Sequence, residues 1–187
     1  HYKRPTLIHT QVRQREQLRI AGITAVPEPD LSFMNECLKH FDLPKNYALI
    51  VPGSSAKMKI KRWPAASYAE LSTVLDQRNI RPILIGTDED MDAINIITRM
   101  CPNALNLVGK TSIFEIATLG RNAKFCIGND TGPMHIIALT KCPTTAIFST
   151  ASFPEKAAPK GKHIKLLIRE RLEDLSLDEV VSSIDLV

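Results

Sequence analysis

The stretch CIGNDTGPMH, Cys126 to His135, holds the densest grouping of chemically useful residues in the chain. An apolar run, Lys124–Ile127, ends in a small polar turn, and apolar character resumes just after Pro133. A strand-to-helix join of this kind leaves the first helical amides unpaired, and the helix dipole favours negative charge there. Pro133 suits the first helical position, which points the N–H groups of Met134 and His135 out of the helix start. Gly132 lets backbone approach a ligand, Thr131 adds a hydroxyl, and His135 adds an imidazole. The chemistry implied is the seating of a phosphate. Asp130 would oppose a bare phosphate unless its carboxylate meets a donor, such as a sugar hydroxyl or a backbone N–H. The turn therefore reads as a nucleotide-sugar site. The competing reading is an ordinary capped helix, with Asp130 in the turn and His135 bonded to backbone.

Two more loops carry suitable groups. In PGSSAKMKIKRWP (52–64), Ser54 and Ser55 offer hydroxyls to a phosphate, and Lys61 lies two residues before a Trp63-Pro64 pair that should pack and fix the loop end. A lysine held in this way would neutralise a diphosphate and stabilise it as a leaving group. Lys57 and Lys59 are freer, and loop lysines can equally be merely solvated. In GTDED (86–90), a carboxylate just past the second strand suits ribose hydroxyls. Glu89 or Asp90 fits that role, and helix capping by Asp88 is the alternative. No G-x-G-x-x-G or P-loop sequence is present. No Cys/His spacing suggests a metal, so neither a metal nor a cofactor is expected.

These loops need elements to carry them. YALIV (47–51), IRPILIG (80–86), ALNLVG (104–109), KFCI (124–127), TTAIFS (144–149) and HIKLLI (163–168) are short apolar runs. Between them lie helical stretches, AASYAELSTVLDQRN, MDAINIITRM, SIFEIATLGRNA and MHIIALT, with LDEVVSSI at the end. This alternation predicts an α/β fold, a Rossmann-like doubly wound parallel sheet whose ligands bind beyond the carboxyl ends of the strands. Capping boxes are expected at Ser67/Glu70, Ser112/Glu115 and Ser176/Glu179. Upstream, residues 8–22 read as a helix stopped by Gly22, VPEPDL as a linker, and 35–40 as a short helix. The expected division is an N-terminal helix and linker over 1–46 and a donor-binding Rossmann-like domain over 47–187.

A chain of 187 residues with 44% hydrophobic content can bury one core. Its net charge of +4 and lack of a reading motif argue against nucleic acid. No apolar run is long enough to span a bilayer. Four scattered cysteines without paired spacing suit free thiols in a reducing cytoplasm. Basic residues cluster at Lys3, Arg4, Arg13, Arg15 and Arg19. They suit either a peripheral contact with anionic headgroups at the inner membrane or a solvated helix face.

The stretches PGSSAKMKIKRWPAASYAEL, ILIGTDED and CIGNDTGPMHIIALTKCPTTAIF, in that order, resemble the heptosyltransferase family of bacterial glycosyltransferases, which build the inner core of lipopolysaccharide. The specific signal is D-T-G-x-x-H with K-x-W-P upstream. The resemblance implies one half of a GT-B architecture, the half that holds a nucleotide-diphosphate sugar, typically ADP-heptose. Asp130, Thr131, Gly132 and His135 would contact its sugar and diphosphate, Ser54, Ser55 and Lys61 its phosphates, and Glu89 or Asp90 its ribose. Val108–Thr111 would lie near the base. It also implies inverting transfer without a metal to a lipid-linked saccharide, with the acceptor domain and general base outside this chain, so the fragment alone should transfer nothing. Ser152-Phe153-Pro154 departs from the family's acidic residue before that proline. A nucleotide-sugar epimerase half and a non-catalytic nucleotide-binding domain are the alternatives.

Overall fold

The computed structural model describes residues 8–54 and 59–184. Its centre is β1 (Tyr47–Val51), in which all five residues are buried. The strand's side chains alternate between two cores: Tyr47, Leu49 and Val51 enter one, Ala48 and Ile50 the other. A strand covered on both faces gains nothing from polar alternation, so its sequence is apolar throughout.

The other strands are β2 (Arg81–Leu84), β3 (Leu105–Asn106), β4 (Cys126–Asn129), β5 (Thr144–Ser149) and β6 (Ile164–Arg169). All pairings are parallel, in the order β3-β2-β1-β4-β5-β6. One face is covered by α2 (Ala65–Gln77), α3 (Met91–Met100) and α7 (Leu177–Ser183), which bury Leu71, Leu75, Ile94, Ile97 and Val180. The other face is covered by α4 (Ile113–Asn122) and α5 (Gly132–Leu139), through Ile116, Leu119, Met134 and Ile137. The doubly wound sheet expected from the alternation of elements is present.

Local departures have local causes. The third strand is two residues long rather than six: the Val108 N–H turns back to the Asn106 side chain at 3.0 Å, and Gly109 takes φ 69°. The fourth extends to Asn129, two residues past the apolar run, because Gly128 and Asn129 pair with Ala146 and Ile147. The cap expected at Ser67 is absent. α2 starts three residues earlier than a cap at Ser67 would set it, with Pro64 at its N-cap and the Pro64 carbonyl accepting from Tyr68 N–H at 3.1 Å. The boxes at Ser112/Glu115 and Ser176/Glu179 are formed.

Upstream, α1 (Thr10–Ile20) matches the predicted helix, while 35–38 is irregular and 39–40 a turn instead of the expected short helix. α4 holds this stretch and the residues before it: Glu36 N–H donates to Thr118 Oγ1 at 3.0 Å, and Arg121 donates to the Leu31 and Met34 carbonyls just upstream. A four-residue helix, α6 (Pro154–Ala157), follows β5 and was not foreseen. Among the described residues no helix is long and apolar enough to cross a membrane.

The β1–β4 contact is tight. A Cβ on Gly128 would lie 2.6 Å from the Val51 carbonyl oxygen and 2.7 Å from Met134 Sδ. Gly128→Ala should therefore destabilise the fold by about 1–3 kcal/mol, the usual range for overpacking. A urea midpoint equal to the parent's would contradict this account of the sheet centre.

Candidate functional site

The strand order reverses between β1 and β4, and the loops that leave their carboxyl ends part there, as at the ligand crevice of other open α/β sheets. A cleft of about 190 Å³ opens at this point, between the ends of β1, β2 and β4. Gly53, Ser54, Gly86, Glu89, Thr131 and Pro133 are among its walls. A second hollow, of about 230 Å³, lies at the amino ends of β4, β5 and β6, beside Phe125, Pro143 and His163, and none of the candidate site residues lines it.

The turn after β4 and the lysine loop meet. Lys61 closes a 3-10 turn, Lys59–Lys61, and its Nζ donates to Asp130 Oδ2 at 2.9 Å across 69 residues of sequence. Both side chains are largely withdrawn from solvent, at 18% and 11% exposure. The donor that the sequence demanded for Asp130 is thus an ammonium within the chain itself.

α5 begins at Gly132, so Pro133 is its second residue rather than its first. Thr131 occupies the N-cap position but its side chain makes no capping bond, which leaves its hydroxyl for a ligand. The Met134 N–H, expected to be free, donates to the Thr131 carbonyl at 3.2 Å, because the first turn tightens. Nothing lies within 4 Å of where a Gly132 side chain would begin. His135 is half-buried. Burial pushes its pKa below the ordinary 6.5, with nearby His9 acting the same way and Asp130 opposing. His9 itself reaches the Ala158 carbonyl at 2.9 Å and so fastens the start of α1 to the end of α6.

The two ribose candidates separate. Asp90 is buried, and its Oδ2 accepts from the Thr87 N–H at 3.0 Å and the Thr87 hydroxyl at 3.2 Å. Its other oxygen faces Arg62 at 3.4 Å. Side chains on Gly53 or Gly86 would strike this carboxylate at 2.4 and 2.9 Å. Asp90 is thus committed to a capping box that joins two loops, in place of the Asp88 cap considered from sequence. Glu89, on the cleft wall and exposed, is the carboxylate left for a ligand. Ser54 is buried beside the cleft, and Ser55 falls outside the described residues. Thr111 sits before the Ser112 cap of α4 and is not part of the cleft wall.

Two residues went unrecognised in the sequence. Arg62 ties the loops together, donating to the Ser54 carbonyl at 2.6 Å and the Ser54 hydroxyl at 3.3 Å as well as facing Asp90. In the sequence it is one more cation of PGSSAKMKIKRWP, with nothing to mark it as a tie between loops. Asn129 is fully buried; its Oδ1 accepts from the Trp63 N–H and the Tyr68 hydroxyl, each at 3.0 Å, and its Nδ2 donates to the Pro52 carbonyl at 2.6 Å. The signal was an asparagine at the end of an apolar run, passed over because the strand was taken to stop at Ile127. Trp63 does fix its loop: it is buried, stacks edge-on against Tyr68 at 4.8 Å and donates from its indole to the Leu175 carbonyl at 2.9 Å.

Two outcomes follow for the turn. The unfolded chain binds a proton at His135 more readily than the folded chain does. The stability contributed by the neutral ring is therefore complete above the ordinary pKa of 6.5 and declines as pH falls below it. His135→Gln should flatten the fall in melting temperature on the acid side of that value, and an unchanged profile would contradict it. Gly132→Val should fold with stability close to the parent's while filling the space before the turn. A large loss of stability would show that this space is packed rather than open.

The family model described as glycosyltransferase family 9 (heptosyltransferase) matches residues 14–179. Lipooligosaccharide heptosyltransferase 2 of Haemophilus influenzae is 33% identical over 121 residues, 60% of this chain and 35% of that protein. Lipopolysaccharide heptosyltransferase 2 of Escherichia coli K12 is 31% identical over 114 residues, 57% of this chain and 33% of that protein. The matched region thus spans about a third of these relatives. Among solved structures, E. coli ADP-heptose lps heptosyltransferase II superposes with a TM-score of 0.70 at 25% identity, over 85% of this chain and 51% of that one. E. coli heptosyltransferase WaaC with ADP gives 0.75 at 21% identity, over 97% and 57%, a likeness of fold. With the strand order, the convergent loops and the family match in agreement, the chain belongs to glycosyltransferase family 9, the heptosyltransferase family.

Proposed function

We propose that this chain is the donor-binding portion of an inverting, metal-independent glycosyltransferase that moves a sugar, heptose from ADP-heptose, onto a lipopolysaccharide-core-type acceptor. The observation that carries the reading is the meeting of Lys61 with the Asp130–His135 turn beside the crevice. An ammonium and a helix start without a side-chain cap, fixed at one place, suit a diphosphate. Thr131 and Ser54 supply hydroxyls next to it, and Glu89 lies where a ribose would extend toward β2. The relatives' names support heptose, and the ADP-heptose named for the E. coli enzyme supports adenine.

In this reading the chain's work in transfer is electrostatic. The acceptor hydroxyl, deprotonated by a carboxylate of the companion domain, attacks the anomeric carbon from the face opposite the diphosphate. The C–O bond to phosphate breaks with its electron pair moving onto the diphosphate. The dipole of α5 is fixed toward that charge, and Lys61 meets it by giving up its contact with Asp130. The acceptor, and a peripheral position at the inner membrane of the cytoplasm, belong to the same proposal. Arg15 and Arg19 in the basic segment are already paired with Glu28 and Glu16, which lowers the positive field that α1 offers to headgroups.

The test is calorimetry with ADP, UDP and GDP on this chain and on Lys61→Ala. The expected result is preference for ADP, with affinity reduced about 10-fold or more in the variant, as for a charge-assisted contact to phosphate. No sugar transfer is expected from the chain alone. Failure to bind any of the three nucleotides would overturn the donor-site reading.

A further inference from the structure

We infer that Asn129 is a positioning residue for the diphosphate site: its side-chain amide sets the relative placement of Lys61, Ser54 and Asp130, and so acts on the ligand through groups it does not itself present. The inference rests on the donor-site reading above and adds to it a residue whose type suggests no contact with substrate.

A carboxamide offers one oxygen able to accept two hydrogen bonds and one nitrogen able to donate two. Asn129 uses both lone pairs, one on the backbone N–H of Trp63 and one on the Tyr68 hydroxyl, and spends a donor on the Pro52 carbonyl. Each partner is a short step from a ligand-facing group. Trp63 is two residues after Lys61, Pro52 is two residues before Ser54, and Asn129 itself immediately precedes Asp130. Three segments far apart in sequence, the loop after β1, the lysine turn and the turn after β4, are therefore registered against one planar group.

The composition of the spot points to positioning rather than filling. Asn129 has no solvent exposure and faces the core that holds Trp63 and Tyr68, where a leucine-like residue would pack at no risk of unmet bonds. A buried amide is tolerated because three of its four possible bonds are made, and such a network fixes geometry sharply. Tyr68 is held in the protonated, donating state, since burial pushes its phenol well above its ordinary pKa of 10.0. Its ring packs edge-on against Trp63, so the hydroxyl and the stack hold the same loop end from two sides. The Lys61–Asp130 pair at 2.9 Å is the product: both of its residues lie within two positions of a group in the network.

Two substitutions separate the arms. Tyr68→Phe removes one donor and leaves the amide's other bonds. Asn129→Asp keeps the acceptor but turns a carboxylate oxygen toward the Pro52 carbonyl, which breaks the arm that leads to Ser54. Each is made with and without Lys61→Ala, and all are titrated with ADP and with inorganic pyrophosphate, alongside circular dichroism and thermal melts. Tyr68→Phe is expected to fold and to bind both ligands ~3- to 10-fold more weakly, with the loss vanishing in the Lys61→Ala background, as for coupled sites. A structural role alone would lower the melting temperature and leave affinity unchanged, or would give losses that multiply independently of Lys61; either result overturns the inference. If the parent binds neither ligand, the donor-site reading fails, and the positioning claim is judged on the Lys61 side-chain ammonium signal by NMR. That signal is expected to report the Asp130 contact in the parent and to lose it in Tyr68→Phe. Retention of the contact in a folded Tyr68→Phe protein overturns the claim without reference to nucleotide.

Discussion

The close approach of β1 to β4 is the constraint on which the site depends. Val51 stands level with Gly128, and a side chain at Gly128 would meet the Val51 carbonyl. Since these two strands flank the point where the sheet's order reverses, their separation decides how far apart the loops after Val51 and after Asn129 begin. With the strands at hydrogen-bonding distance, Pro52 comes within reach of a side chain on Asn129, and the lysine loop can be anchored to the same residue. A missing side chain at Gly128 thus permits a polar one at Asn129 to act.

Around that centre the polar groups are arranged in two sets. Asn129 with Trp63 and Tyr68 forms a neutral set under the lysine turn. Arg62, Asp90 and Thr87 form a charged set under the loops after β1 and β2. The second set buries a carboxylate, which is tolerated because its oxygens are met by a backbone N–H, a hydroxyl and a guanidinium, and because Gly53 and Gly86 give it room. Neither set is placed to react. Their effect is to hold Ser54, Glu89 and Thr131 around a cleft, with Lys61 paired to Asp130 in the adjoining turn, on elements whose own cores are apolar and closely packed.

Much of this was legible in the sequence because period and chemistry agreed. The continuously apolar YALIV and TTAIFS runs could only be strands buried on both faces, and Ser112/Glu115 and Ser176/Glu179 declared two helix starts through bonds between near neighbours. What escaped was decided by partners distant in the chain. Residues 35–40 carry helix-compatible side chains, yet Thr118 claims the Glu36 N–H from 82 positions away, and Arg121 holds the Leu31 carbonyl just upstream from 90. Ser67 sits three residues before a glutamate but loses its cap because α2 begins at Ala65, just past the anchored Trp63. Within the candidate site, the pairing of Lys61 with Asp130 answered a question the sequence had posed, whereas the assignment of Asp90 to a loop-joining cap could not be read from GTDED. Four acidic or hydroxylic residues in succession all look available until the fold commits one of them.

The ammonium at Lys61 does not wait unopposed; it is already matched by Asp130. An arriving anion therefore gains less than the full attraction of a bare cation, because it must compete with a carboxylate that sits at the same helix start. By the same token, a departing anion leaves behind a cation with an immediate replacement partner, so the emptied crevice is not left with a buried charge unmet. Such an exchange of counter-charges gives up tightness of hold in return for ease of departure.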